Sequence, residues 1–237
     1  MAGTKRPQRQ AGTSLIGLMV GMVIALLAVV GGMSLYRSTV QQLMKDGGLV
    51  KSSSQDGQLA SGLLSAQIAL QAAGYGIKGA ASDSHLILLR EAALSGARLS
   101  GQTQALSSAA AAGNALVWIS NPTLSADPAQ QVCHALLAEP DSRALLLLRA
   151  EGSCHPLATR WNQLEWARRS LVAAEQLSEP VGIAARRAAG CWPYGALPEA
   201  MTGMAAPSAP VEVSLAYAGS VSGASNRYTS CLANLIQ

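Results

Sequence analysis

The chain has 237 residues, of which 49% are hydrophobic and only 13% are charged. So little charge, with a mean hydropathy of +0.24, excludes a disordered chain, and the length allows one domain with a small appendage. Lysine and arginine outnumber aspartate and glutamate by 17 to 13, but Lys5, Arg6 and Arg9 all lie in the first nine residues, and the remainder is nearly neutral. This balance and the 4% aromatic content exclude a basic or stacking surface for nucleic acid, which is therefore not expected as a partner.

An uninterrupted apolar segment follows the basic start. The 21 residues from Leu15 to Leu35 are apolar or glycine except Ser34, and as a helix they would span about 31 Å, the thickness of a bilayer core. Three fates are open: a signal peptide removed near Val30-Gly31-Gly32, a signal anchor, or a helix retained after cleavage on its cytoplasmic side. The helical pattern continues beyond Gly32 without a turn residue, which favours one retained helix.

The residues around the start of this helix carry a family resemblance. The stretch Gly12-Thr13-Ser14-Leu15-Ile16-Gly17-Leu18-Met19-Val20, after a short basic leader, resembles the processing site of type IV prepilins and pseudopilins. The resemblance is closest to PilW-type minor pilins, through Leu18–Gly21 and Ser34–Arg37. It implies that a prepilin peptidase cleaves after Gly12 and methylates Thr13.

The resemblance also implies a domain organisation and a fold. Residues 1–12 would be the leader peptide, 13–46 the transmembrane and polymerisation helix, and 47–237 an exported head. The implied fold class is α+β, with a long N-terminal helix packed on an antiparallel sheet. Before assembly the subunit would be anchored in the inner membrane with its head in the periplasm, and it would then become part of a pilus at the cell surface. There its helix would pack against other major and minor pilins through Leu15, Ile16, Gly17, Leu18 and Val20.

Gly17 departs from the family pattern. In that family the fifth residue after the cleavage site is usually a glutamate. Its assigned role is to pair with the N-terminal ammonium group of a neighbouring subunit. A carboxylate in hydrocarbon is costly without a partner, so Gly17 removes both the cost and the attraction. In the related secretion systems the pseudopilin that lacks this acid sits at the tip. Two interpretations stay open, a tip subunit and a substitution tolerated in a minor subunit.

Four cysteines, Cys133, Cys154, Cys191 and Cys231, all lie beyond the predicted membrane helix. An even set in this place is typical of a protein that matures in an oxidising compartment. Of the three possible connectivities, Cys133 with Cys154 and Cys191 with Cys231 is favoured because each pair closes a self-contained segment. A C-terminal disulfide loop is also what the resemblance implies. No metal site is predicted, because the doublets Cys133-His134 and Cys154-His155 fit no common zinc spacing.

The exported part is predicted to begin with a helix and continue with strands. Leu59, Leu63, Ala66, Leu70 and Ala73 line one helical face that would pack on a sheet. An interruption before it is predicted at Gly47-Gly48 and the run Ser52–Ser54, and a stop after it at Gly74-Tyr75-Gly76. Short apolar runs predict antiparallel strands at His85–Arg90, Ala115–Ile119, Ala144–Arg149 and Val211–Tyr217.

Further features of the exported part are assigned from weaker patterns. Leu145–Leu148 is apolar on both faces and predicts a central strand. Arg160–Leu177 predicts a second helix, whereas Ala105–Gly113 and Pro193–Pro210 are rich in alanine, glycine and proline and predict loops or weak helix.

No catalytic constellation is visible in the sequence. Nucleophile, phosphate-loop and zinc-protease motifs are absent. The carboxylate pairs Glu139/Asp141 and Glu165/Glu175 and the basic doublets Arg168-Arg169 and Arg186-Arg187 are best explained as surface charge. The chain is therefore predicted to be non-enzymatic, without a cofactor or a small-molecule substrate. The leading interpretation is a minor pilin-like subunit for filament initiation, assembly or tip structure; the alternatives are a type II secretion pseudopilin and a signal-anchored periplasmic binding protein.

Overall fold

The computed structural model describes residues 15–44, 49–151, 153–192, 209–218 and 225–236. The chain divides into two units, Met1–Ser53 and Ser54–Gln237. Helix α1 (Leu15–Met44) is the long apolar helix, and α2 (Leu49–Leu70) follows it in the chain. The part of the predicted interruption at Gly47-Gly48 lies outside the described residues, whereas the part at Ser52–Ser54 is wrong, because these serines belong to α2.

The predicted amphipathic face of α2 is confirmed. Leu59, Leu63, Ala66 and Leu70 are at most 3% exposed, and Ala73, in the turn after the helix, is fully buried. The predicted stop is also present, although the helix itself ends at Leu70. Glycine is required in the turn at Gly76, where φ is +71° and an added Cβ would collide with the carbonyl oxygen of Asn121.

In the described residues, ten strands and one short α-helix follow α2. In chain order they are β1 (Leu86–Ser95), β2 (Arg98–Gln104), β3 (Ala111–Gly113), β4 (Ala115–Ser120), β5 (Val132–Ala138), β6 (Leu145–Glu151), α3 (Leu157–Arg160), β7 (Glu165–Val172), β8 (Gly182–Cys191), β9 (Ala209–Ala218) and β10 (Ser225–Cys231). The four strands predicted from apolar runs are all present, as β1, β4, β6 and β9. The paired strands are antiparallel throughout.

The strands form two sheets, and this corrects the predicted head. One sheet closes on itself in the order β1-β2-β7-β6-β5-β4, and the other is four-stranded in the order β10-β9-β8-β3. The combination is α+β, as predicted, but the closed six-stranded barrel is not the pilin-type sheet that the resemblance implies. A physical reason lies in β4, whose six residues are all buried and which therefore needs apolar cover on both faces.

The two faces of the barrel strands belong to two separate cores. Alternate residues of β1 and β4, such as Leu89 and Val117, fill the barrel interior together with Trp161 and Trp166. The intervening residues, such as Leu88, face outward into a core shared with α2 and with the four-stranded sheet. Leu145–Leu148 contributes to both cores, which confirms the central position predicted for this strand.

The helix predicted over Arg160–Leu177 is wrong. This segment holds the end of α3, strand β7 and a short 3-10 turn at Ala174–Gln176. Residues of β7 pair with β6 from Glu165 to Val172, so a partner strand distant in sequence decides their conformation. The segment Ala105–Gly113, predicted as loop or weak helix, contains the three-residue strand β3, and most of Pro193–Pro210 lies outside the described residues.

Two glycines of α2 provide a matched test of this packing. A Cβ at Gly62 would collide with the carbonyl oxygen of Leu171 on β7, whereas a Cβ at Gly57 meets nothing within 4 Å. We expect Gly62→Ala to lower the free energy of unfolding by about 1–3 kcal/mol through overpacking. Gly57→Ala should raise it by about 0.5–1 kcal/mol, the usual gain from alanine within a helix. Urea unfolding of the full chain in detergent, followed by tryptophan fluorescence, measures both. Equal effects of the two substitutions would contradict the close contact between α2 and β7.

Candidate functional site

Helix α1 presents an apolar surface that the described chain leaves uncovered. The large apolar side chains between Leu15 and Tyr36 are 52% to 77% exposed. The stretch Leu15–Gln41 has 27 residues, and its most apolar 18-residue window has a mean hydropathy of 2.6, so it is long and apolar enough to cross a membrane. By length and composition it fits a membrane span or a signal sequence.

The side chains predicted to pack in a filament all lie in the first turns of α1. Leu15, Ile16, Leu18 and Val20 are exposed, and a Cβ added at Gly17 would meet nothing within 4 Å. The helix also continues through Gly31 and Gly32 without a break. The predicted processing residues Gly12 and Thr13, with the rest of the leader, lie outside the described residues.

Cys133 and Cys154 form a disulfide inside the barrel. Their Cα atoms are 5.9 Å apart, and both residues are fully buried in the interior core. Cys133 belongs to β5, whereas Cys154 lies between β6 and α3. The bond therefore joins a barrel strand to the connection that leads to the next strand.

The second disulfide joins Cys191 at the end of β8 to Cys231 at the end of β10. Their Cα atoms are 5.5 Å apart, and with Ala209 of β9 the two cysteines form a small buried cluster. The bond thereby joins two strands of the four-stranded sheet that lie on either side of β9. Both pairs agree with the connectivity favoured from the sequence, and the described residues contain no free cysteine.

The histidines of the two Cys-His doublets have separate surroundings. His134 is half-buried and stacks on Trp118, with the ring centroids 5.8 Å apart, whereas His155 is exposed. Burial, reinforced by the nearby Arg149, lowers the pKa of His134. Among the described residues no group of three histidine, cysteine or acidic side chains is placed to hold a metal ion.

The nominated carboxylates do not converge on one place. Glu139 accepts a hydrogen bond from Ser142, in the turn between β5 and β6, and Asp141 is exposed nearby. Glu165 is at the start of β7 and Glu175 is in the following turn, and both are exposed. This arrangement offers no acid-base pair around a shared cavity.

The two arginine doublets differ in their partners. Arg186 makes a two-pronged pair with Glu212, at 3.1 and 2.6 Å, and Arg187 binds both oxygens of Asp83, at 2.5 and 2.6 Å. The hydrogen bond and charge of Glu212 raise the pKa of Arg186. Arg168 and Arg169 on β7 are exposed, and the structure shows no ion pair or side-chain hydrogen bond for them within its described ranges.

Two polar contacts escaped the sequence analysis. The side-chain amide of Asn114 bonds the backbone N–H and C=O of Ala92, at 2.8 and 2.7 Å, and so satisfies an irregular point of β1. Asp83 and Arg187 are 104 positions apart. No local sequence pattern predicts either contact, because each joins segments that are distant in sequence and meet only in the folded chain.

Comparison with known proteins identifies no relative: no family model, curated protein or solved structure matches this chain.

The surroundings of His134 predict a pH dependence of stability. Because the fold holds the pKa of this side chain below its ordinary value of 6.5, the unfolded chain takes up the proton first. The stabilisation is present above pH 6.5 and is lost as the pH falls through the folded-state pKa. We expect urea midpoints to fall between pH 7 and pH 5 and to fall less steeply in His134→Gln. Parallel profiles for the two proteins would contradict this account.

Proposed function

We propose that this chain is a non-enzymatic minor pilin-like subunit, cleaved by a prepilin peptidase after Gly12 and retained by its apolar helix. The subunit then takes part in the initiation, assembly or tip structure of a type IV pilus or a related secretion filament. The observation that carries the proposal is the uncovered apolar surface of α1, directly after the motif that resembles a prepilin processing site.

The character of α1 supports a polymerisation role. In this proposal its surface is covered first by lipid and then by the helices of neighbouring subunits. Both surroundings are apolar, so the transfer brings little hydrophobic gain and depends on close packing and on an external motor. Gly17 and Gly21 lack a side chain, and small residues let neighbouring apolar helices approach closely.

The disulfides support export of the head. The described chain contains two disulfide bonds and no free cysteine, which is typical of a protein that folds in an oxidising compartment. In the proposed arrangement the helix is anchored in the inner membrane, and the head folds in the periplasm, which is such a compartment. The second disulfide encloses the C-terminal strand, in the place where the resemblance implies a C-terminal loop.

One observation favours a second candidate, a signal-anchored periplasmic binding protein without a filament role. The head contains a closed barrel rather than a pilin-type sheet. Such a protein would keep the same membrane helix and the same disulfides, but its N-terminus would not be processed by a prepilin peptidase.

The mature N-terminus distinguishes the two candidates. We expect the chain, produced with a prepilin peptidase and purified from membranes, to begin at N-methylated Thr13 in mass spectrometry of its N-terminal peptide. Gly12→Asp is the matched control and should keep the leader. A wild-type chain that begins at Met1 would support the signal anchor, and one that begins at Met33 and is released into the medium would support a secreted form. Either result would contradict the proposed function.

A further inference from the structure

The barrel is closed at one point only. Strands β2 and β7 share a single residue pair, Arg98 with Glu165, and one further hydrogen bond from the Trp166 N–H to the Ala97 carbonyl, at 2.8 Å. On its other side β7 pairs with β6 along its full length. Because β2 and β7 are antiparallel, residues of β7 beyond Trp166 run past the turn that joins β1 to β2, and no described strand pairs with them there.

The free edge of β7 presents backbone donors and acceptors. The N–H of Trp166 points toward β2, so the alternation of an antiparallel strand directs the N–H and C=O of Arg168 and Ser170 to the same edge. Neither residue makes a backbone hydrogen bond on that edge to any part of the chain that the structure describes. Unpaired edges of this kind are templates for another strand.

A groove runs along this edge. Its volume is about 510 Å³, and one wall is the small-residue face of α2 at Gly57, Ser61 and Ser65. The other wall is β7 from Arg169 to Leu171. The groove is open at Gly57, where an added Cβ would meet nothing within 4 Å, and it ends against Gly62, where the helix contacts the Leu171 carbonyl. The hydrogen bond from Gln176 to Gln58 ties the two walls together.

The charge of the edge indicates the chemistry of its partner. Arg168 and Arg169 point to opposite faces of β7 and are both exposed, without a carboxylate partner among the described residues. A second copy of this chain, pairing edge to edge here, would bring arginine beside arginine, which destabilises a strand pair. An incoming strand with acidic side chains on both faces would instead meet the two guanidinium groups.

We propose that the free edge of β7 is a docking site for an extended acidic segment of another protein, which adds to the barrel sheet as a strand. The backbone edge of Arg168 and Ser170 provides the hydrogen bonds, and the two arginine side chains provide the preference for acidic residues. The docking does not depend on processing at Gly12 or on a filament role, so it stands or falls separately from the proposed function.

Synthetic peptides test this site on the full chain in detergent micelles. The probes are capped ten-residue peptides of alternating valine and glutamate or alternating valine and lysine, with affinity measured by fluorescence anisotropy. We expect the glutamate peptide to bind about tenfold more tightly than the lysine peptide. In the double variant Arg168→Glu with Arg169→Glu this preference should reverse.

A proline variant tests whether the strand edge itself binds. Ser170→Pro removes the N–H that faces the edge and should lower the affinity for the glutamate peptide by about tenfold or more. Ser170→Ala keeps this N–H and should leave that affinity unchanged. If Ser170→Pro does not fold, the reversal of peptide preference in the Arg168→Glu/Arg169→Glu variant still tests the docking site. Equal binding of both peptides to the wild type, an unchanged affinity in a folded Ser170→Pro variant, or a dimer of the chain that Ser170→Pro abolishes would each overturn the proposal.

Discussion

The apolar surface of α1 is the constraint on which the rest of the account depends. The residues of α1 from Leu15 to Tyr36 carry no charge, and their large apolar side chains are exposed. A contiguous apolar surface of this kind marks a site of contact with lipid or with another protein. By length and composition the helix fits a membrane span or a signal sequence. In both candidate functions it is retained, as a membrane anchor in one and as part of a filament subunit in the other. What separates the two is whether the leader before the helix is removed and whether protein replaces lipid around it.

The need to bury apolar surface also determines the architecture of the head. Strands such as β4 are apolar on both faces, so a single layer of helix on one side leaves them half exposed. The barrel solves this by turning one face inward, where the first disulfide and two tryptophans complete the interior, while α2 and the four-stranded sheet cover the other face. The β2–β7 junction is the weakest part of this closure, and it is there that the strand edge becomes available to a partner.

The sequence predicted those features that depend on local periodicity. The buried face of α2, the four apolar strands and the stop near Gly76 all follow from spacing within a few residues, and the cysteine pairs follow from loop closure. The closed barrel was missed because closure depends on which strands meet, as in the contact of Arg98 with Glu165. The same limit explains why the helix predicted over Arg160–Leu177 is wrong, since residues Glu165 to Val172 of this segment pair with β6 as strand β7. Of the candidate site, the long apolar helix α1 was predicted, whereas the partners of Arg186 and Arg187 were not.

The most direct test of the central claim is to identify what covers α1 in intact cells. A photo-crosslinking residue in place of Ile16, with Tyr75 in the head replaced as the control, records the neighbours of each position. The account predicts lipid adducts at position 16 when the chain is produced alone, and adducts to other proteins with apolar N-terminal helices when the filament machinery is produced with it. Lipid adducts under both conditions would contradict the polymerisation role and leave α1 as a membrane anchor.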